Sequence, residues 1–188
     1  CRKVASLAQH ADGIVISDYA KGMVSRQLVS ELIRCARKRG IPVLVDPKGT
    51  EYGKYRGADV IKPNHRELSL ALGKPLHNEA DIVAGGRALM HRFGLKSLVV
   101  SRGAEGVAVI QTGFKALMIP SRAREVFDVS GAGDTMLASL SLALVSGLSL
   151  DDAAKLANHA AGVVVGKLGV ATVSPQELLD AFSGGSGA

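Results

Sequence analysis

The chain of 188 residues contains no tryptophan, and only 4% of it is aromatic. Its core must therefore be aliphatic, built from Val, Leu, Ile and Ala. Two cysteines, Cys1 and Cys35, supply no disulfide framework. Cys35 lies in an amphipathic helical pattern and reads as a small buried or half-buried thiol. His10, His65, His77, His91 and His159 form no metal-ligand spacing with the cysteines. The longest apolar run, Thr135 to Leu150, is broken by Ser139, Ser141, Ser146 and Gly147 and flanked by Asp134 and Asp151. It is too short to span a bilayer and reads as a buried helix. Cys1-Arg2-Lys3 leads into a short mixed segment, so no signal peptide is legible. The first residue is not Met, and a targeting segment ahead of it would be out of view. The expectation from these absences is a cytoplasmic protein with no membrane partner.

What is present is a chain long enough for one domain with a real core, with 47% hydrophobic residues. Net charge is +6, from 23 basic and 17 acidic residues. Part of the excess, Arg34, Arg37, Lys38 and Arg39, falls at the end of a predicted helix, where cations favour the negative end of the helix dipole. No aromatic interleaving accompanies the charge, so no nucleic-acid partner is expected. A mildly basic protein also suits phosphorylated small molecules.

The order of elements reads as α/β. Strands are predicted at 13–17, 43–45, 59–62 and 98–101, and a hairpin at 107–110 and 116–119 about Thr112-Gly113. Between them lie helices: one capped by Ser25 and ended by Gly40, one opened by Asn64 and ended near Gly73, and one from Asn78 or Glu79 to Phe93-Gly94. Three more follow near 134–146, 151–166 and 175–182. Apolar strands alternating with helices imply a mostly parallel sheet covered on both faces. Such sheets bind ligands at the carboxyl ends of their strands. Asp18, Asp46, Asn64 and Ser101 all fall there.

The densest chemistry is Asp128-Val129-Ser130-Gly131-Ala132-Gly133-Asp134. Two carboxylates and two glycines precede an apolar helical run, so a loop is expected to close onto a helix N-terminus. There, backbone N–H groups lack intrahelical partners and favour an anion. Gly131 and Gly133 leave room for the anion to reach the backbone. Asp134, a carboxylate beside that anion, can take a proton from an attacking hydroxyl. The plain alternative is a capping Asp after a flexible turn.

The heptapeptide resembles the D-T-x-G-A-G-D signature of the ribokinase-like carbohydrate kinases, with Val129 where Thr is usual. Ser17-Asp18-Tyr19-Ala20-Lys21-Gly22, Val45-Asp46-Pro47-Lys48-Gly49, Tyr55-Arg56-Gly57-Ala58-Asp59, Lys62-Pro63-Asn64 and the stretch 161–169 resemble the heptose 7-phosphate kinase branch. The resemblance implies a three-layer α/β/α sandwich and ATP-dependent phosphorylation of a sugar hydroxyl. It points to D-glycero-D-manno-heptose 7-phosphate as substrate, for lipopolysaccharide core precursor (ADP-heptose) synthesis. Asp134 is the implied base, and Gly131, Ala132 and Gly133 the implied anion hole. Asn64, His65, Arg66 and Glu67 resemble the family's N-x-x-E motif, which contacts nucleotide phosphate and places Mg2+, largely through water. The plain reading of the same four residues is an N-cap with an acidic first turn. Ser101, Gly103, Gly106, Asn158 and Ala161 complete the implied ATP site, with His159 on the helix that flanks the adenine. Asp18, Lys21, Asp46 and Lys48 are assigned to a substrate or phosphate cleft. Asp128 is read as organising the loop, through a nearby monovalent cation in one version of that reading.

Other matches fail. Gly162 to Lys167 has three residues between its glycines, not the four of a Walker A loop, and Leu168 stands where Ser or Thr is needed. No strand-linked G-x-G-x-x-G is present. Members of the family carry a substantial region ahead of the point where this chain starts, with early strands, a β-lid and most sugar-binding residues. Residues 1–183 are thus expected to be the C-terminal, nucleotide-binding portion of a kinase domain, with N-terminal part and lid missing, and 184–188 a flexible linker-like tail. A homodimer through the lid and a fused adenylyltransferase domain are implied for the full-length protein. Three readings stay open: a sugar kinase, a nucleotide-binding fragment without sugar kinase activity on its own, and an α/β scaffold with incidental motifs.

Overall fold

The computed structural model describes residues 2–123 and 127–183. The expected tail, 184–188, lies outside the described residues. Among the described residues the α-helices and strands follow in order: α1 Arg2–Ala8, β1 Ile14–Ser17, α2 Arg26–Arg39, β2 Val43–Asp46, β3 Val60–Ile61, α3 His65–Leu72, α4 Glu79–Phe93, β4 Ser97–Ser101, β5 Val107–Gln111, β6 Leu117–Ile119, α5 Ala132–Val145, α6 Leu150–Val165 and α7 Pro175–Ser183. The six strands are ordered β1-β2-β3-β4-β5-β6. The pairs β1–β2, β2–β3 and β3–β4 are parallel. The mostly parallel α/β sheet expected from the alternation of elements is present.

The chain divides into two compact units, Cys1–Arg102 with Ala108–Leu117, and Gly103–Val107 with Met118–Ala188. In the first unit, β2 buries Val43, Leu44 and Val45, and β4 buries Leu98, Val99 and Val100. Continuous burial along a strand is what a parallel sheet with both faces covered requires. α2 supplies Val29, Leu32, Ile33 and Ala36 at helical spacing. Its ends are set locally: the Ser25 side chain accepts from the Leu28 N–H at 3.2 Å, and Gly40 adopts a left-handed φ of 68°. Arg37, Lys38 and Arg39 crowd its last turn, where the predicted basic cluster meets the dipole. The connection at Thr112-Gly113 joins neighbouring β5 and β6, as the predicted hairpin requires.

Two elements were not legible beforehand. α1 forms where the sequence showed only a mixed segment, and residues Tyr52–Tyr55 form a 3-10 turn that buries both tyrosines. The start of the late apolar helix also shifts. α5 begins at Ala132, so Asp134 sits in its first turn and not at its cap.

In the second unit α5 packs on α6. The α6 face is alanine-rich, with Ala153, Ala154, Ala157, Ala160 and Ala161 buried alongside Val164. α5 buries Met136, Leu137, Leu140 and Ala143. Small residues on one helix make room for larger ones on the other. The serines that interrupt the α5 run are reconciled by position. Buried Ser141 donates back to the Leu137 carbonyl at 2.6 Å, so its hydroxyl is satisfied within the helix.

Gly106 is buried with φ 89°. A Cβ there would collide with the backbone at Ile119, Pro120 and Ser121. Gly106→Ala is therefore expected to destabilise the protein by about 2 kcal/mol or more, from backbone strain plus the clash. Equilibrium urea denaturation checks this; a change under about 0.5 kcal/mol would show that the segment yields freely.

Candidate active site

In the first unit the parallel register brings four loop starts to one edge of the sheet. Ser17 pairs with Asp46, and the Asp18 N–H donates to the Asp46 carbonyl at 3.0 Å. Asn64 bridges Ser101, and the Ser101 N–H donates to the Pro63 carbonyl at 3.0 Å. Asp18, Asp46, Asn64 and Ser101 thus stand at the carboxyl ends of β1 to β4, as their sequence positions implied.

Asn64 and Glu67 form a reciprocal capping box on α3. The Asn64 side chain accepts from the Glu67 N–H at 2.8 Å, and Glu67 Oε2 accepts from the Asn64 N–H at 2.9 Å. Glu67 Oε1 receives the Lys48 ammonium at 2.9 Å. That contact, first as a hydrogen bond and then through charge, raises the Lys48 pKa above its ordinary value. His65 turns to the Leu76 carbonyl at 2.9 Å, so its Nε2 carries the hydrogen and its side chain braces the end of the helix–helix connection. Arg66 is exposed. Lys62, buried to 3% exposure, pairs with Asp46 at 3.3 Å.

Asp18 is buried and has three donors. Ala20 N–H reaches Oδ1 at 2.8 Å, the Tyr55 hydroxyl reaches Oδ2 at 2.6 Å, and the Lys54 ammonium also meets Oδ2. Burial works against the charged carboxylate, but Lys54, Tyr55 and Ala20 outweigh it, and the pKa is lowered. The same burial, with Asp18 beside it, pushes the Tyr55 phenol up. Lys21 is exposed on the turn that follows. Lys54, Tyr55 and Lys62 were missed as site residues. The available signal was two of only three tyrosines placed three residues apart, just after the Asp46-Pro47-Lys48 turn.

In the second unit, Gly131 caps α5 with φ 79°, and Ala132, Gly133 and Asp134 form its first turn. Gly133 and Asp134 are exposed. The Thr135 N–H returns to the Gly131 carbonyl at 2.9 Å, and the Ala132 N–H makes a long 3.3 Å contact with Val129 O. The Gly133 and Asp134 N–H groups, at the second and third helical positions, have no acceptor within the helix. Asp128 Oδ1 accepts from the Ser130 N–H at 2.8 Å, closing a tight Asx turn. That backbone contact, helped by the Ser130 side chain and the Gly169 backbone, holds the Asp128 carboxyl below its usual range.

Asn158 is buried and donates to the Pro120 carbonyl at 2.8 Å, pinning α6 to that segment. Ala161 is also buried. His159 stacks on Phe182 with ring centroids 4.1 Å apart. Burial, and then the charge of Arg122, lowers the His159 pKa. Gly103 is exposed with φ 60° in the turn that leads to Gly106. Among the described residues no group of three or more His, Cys, Asp or Glu is placed to hold a metal. Nor is any helix there long and apolar enough to cross a membrane.

The sequence profile of the pfkB family of carbohydrate kinases matches residues 2–177. The chain belongs to that family. Its curated relatives include the bifunctional protein HldE of Aeromonas salmonicida, 49% identical over 180 residues, and that of Geobacter sulfurreducens, 47% identical over 181. The match takes in 96% and 95% of this chain, but the chain spans only 37% of the length of either relative. Among solved structures, Arabidopsis thaliana ribokinase complexed with ribose and ATP superposes with a TM-score of 0.84 at 23% identity, covering 96% of this chain and 59% of that one. Giardia lamblia ribokinase gives 0.86 at 18% identity, covering 98% and 63%. The fold is ribokinase-like.

The Asp18 contacts carry a pH signature. Its folded pKa lies below the unfolded value, so its stabilisation is fully present above about pH 4 and is lost as pH falls through the lowered value. Asp18→Asn is expected to flatten the acid limb of stability against pH, measured by urea denaturation between about pH 2 and 7. An unchanged acid limb would show that Asp18 is not preferentially charged in the folded state.

Proposed function

We propose that this chain carries the ATP-using part of a sugar kinase that phosphorylates D-glycero-D-manno-heptose 7-phosphate to the 1,7-bisphosphate, in the cytoplasm, for ADP-heptose and lipopolysaccharide core synthesis. The observation that carries the reading is the Asp128–Asp134 loop at the start of α5 in a pfkB-family chain whose curated relatives are HldE proteins. The left-handed Gly131 and the side-chain-free Gly133 leave backbone N–H groups at a helix N-terminus free to meet an anion. Asp134, exposed in that first turn, accepts the proton of the sugar hydroxyl as the hydroxyl oxygen attacks the γ-phosphorus of ATP and the bond to the ADP oxygen breaks. The N–H groups of the turn stabilise charge on the transferring group. Asp128, held by Ser130, keeps the loop in shape.

Asn64, Ser101 and Gly103 contact the nucleotide phosphates in this reading, while Asn158 and Ala161 shape α6 for the base. Glu67 is a half-buried carboxylate, and among the described residues no cluster of metal-ligating side chains surrounds it, so an ion there would keep most of its waters. Mg2+ held there through water would offset phosphate charge. A fused adenylyltransferase belongs to the same proposal for the full-length protein, and the relatives' name calls them bifunctional without naming the second activity.

Asp134→Asn in the full-length protein is expected to lower sugar-dependent ADP release by roughly 10²–10⁴-fold while ATP binding stays within about threefold. Near-normal turnover would remove Asp134 from its role. ATP binding with no sugar-dependent turnover by the 188-residue chain on its own would favour the alternative, a nucleotide-binding fragment without sugar kinase activity by itself. Glu67→Gln is expected to raise the Mg2+ concentration needed for half-maximal rate by roughly tenfold, with metal-free nucleotide binding little changed. An unaltered Mg2+ requirement would leave Glu67 as a helix cap alone.

A further inference from the structure

The Asp18 cluster does something that burial alone does not explain. Ala20 has a left-handed φ of 55°, the one non-glycine residue among those described to do so. A residue with a Cβ is held there only when its surroundings over-determine it. The Asp18 carboxylate is the restraint, through the Ala20 N–H at 2.8 Å. Asp18 is in turn held by groups 36 and 37 residues away, Lys54 and Tyr55. The outcome is an exposed turn that presents Tyr19, 64% exposed, and Lys21 beyond the end of β1.

Tyr55 faces a second loop as well. Its hydroxyl donates to Asp18 at 2.6 Å and accepts from the Lys48 N–H at 3.4 Å. A phenol has one hydrogen and spare lone pairs, so a single oxygen can serve both loops. The ring is fully buried and rests edge-on against Tyr52, with centroids 6.0 Å apart, so it has no freedom to leave. From Lys48 the chain of contacts continues through its ammonium to Glu67 and the α3 cap. Asp46 adds its charge to the field on Lys48. A buried ion pair is a poor source of net stability compared with apolar packing, but it does specify geometry.

We propose that Tyr55, assisted by Lys54, is a positioning residue that clamps the 18–22 turn to the 47–49 turn, so that Lys21 and Lys48 are held in place for a phosphorylated acceptor. This rests on the kinase reading for its consequence, though not for its geometry.

The test is Tyr55→Phe, which keeps the ring and removes only the shared hydroxyl, made in the full-length protein. Amide exchange by NMR should accelerate roughly tenfold at Ala20 and Lys48, about the worth of one hydrogen bond, with Val45 and Ile61 unchanged. Steady-state kinetics should show KM for the sugar phosphate up roughly tenfold and KM for ATP within about twofold. Unchanged exchange at both amides overturns the clamp. So does equal acceleration at Val45 and Ile61, which would make Tyr55 a packing residue only. Local acceleration with an unmoved acceptor KM overturns the positioning role. If the unmutated protein lacks sugar-dependent turnover, the kinase reading fails, and the exchange arm still decides the clamp. Should Tyr55→Phe not fold, Lys54→Met reads the same restraint at the Ala20 amide, and unchanged exchange there overturns the proposal.

Discussion

Parallel pairing of β1 to β4 makes every one of those strands end at the same edge, and the polar chemistry of the first unit follows from that constraint. A parallel strand cannot turn back on its neighbour, so the chain must leave the edge, reverse and cross over. Each exit exposes backbone and needs a polar residue to satisfy it. Asp18, Asp46, Asn64 and Ser101 occupy those exits, and adjacent exits bond to each other through Asp18 N–H to Asp46 O and Ser101 N–H to Pro63 O. Residues far apart in sequence become neighbours because the sheet leaves them nowhere else to be.

The same edge shows how structural and chemical roles share atoms. Glu67 caps α3 with one oxygen and holds Lys48 with the other. A residue fixed from both sides is pre-organised. Lys62 is almost fully buried but tied to Asp46, and Lys54 to Asp18. Burying an ammonium is costly unless a partner is close, so the cations are matched one to one with carboxylates at the strand ends. In the second unit the economy is different. The loop before α5 relies on backbone: one left-handed glycine, one Asx turn and the open N–H groups of a helix start.

The chain alone determined the α/β class, most element positions and the identity of the loop at 128–134. These depend on local rules: strand-length apolar runs, Ser25, Asn64 and Asn78 as caps, and Gly40, Gly73 and Gly94 in left-handed conformation at helix ends. Caps and periodicity are written within a few residues of where they act, so they can be read in order. α1 escaped because its seven residues carry no cap signal, and the Tyr52–Tyr55 turn because a 3-10 turn has too short a period to leave a pattern.

Only the tertiary structure decided which groups meet. The pairing of Asp18 with Lys54 and Tyr55 spans 36 and 37 residues, and Lys48 with Glu67 spans 19. Nothing local marks the pairing, because an ion pair is specified by where the sheet delivers its members. His65 and Asn158 are expected from sequence as ATP contacts, and the structure adds what sequence did not show, a bond from each side chain to a carbonyl, Leu76 and Pro120 respectively. A motif names residue types at a spacing, whereas a side chain's direction depends on which unsatisfied carbonyl lies within reach once the helices have packed.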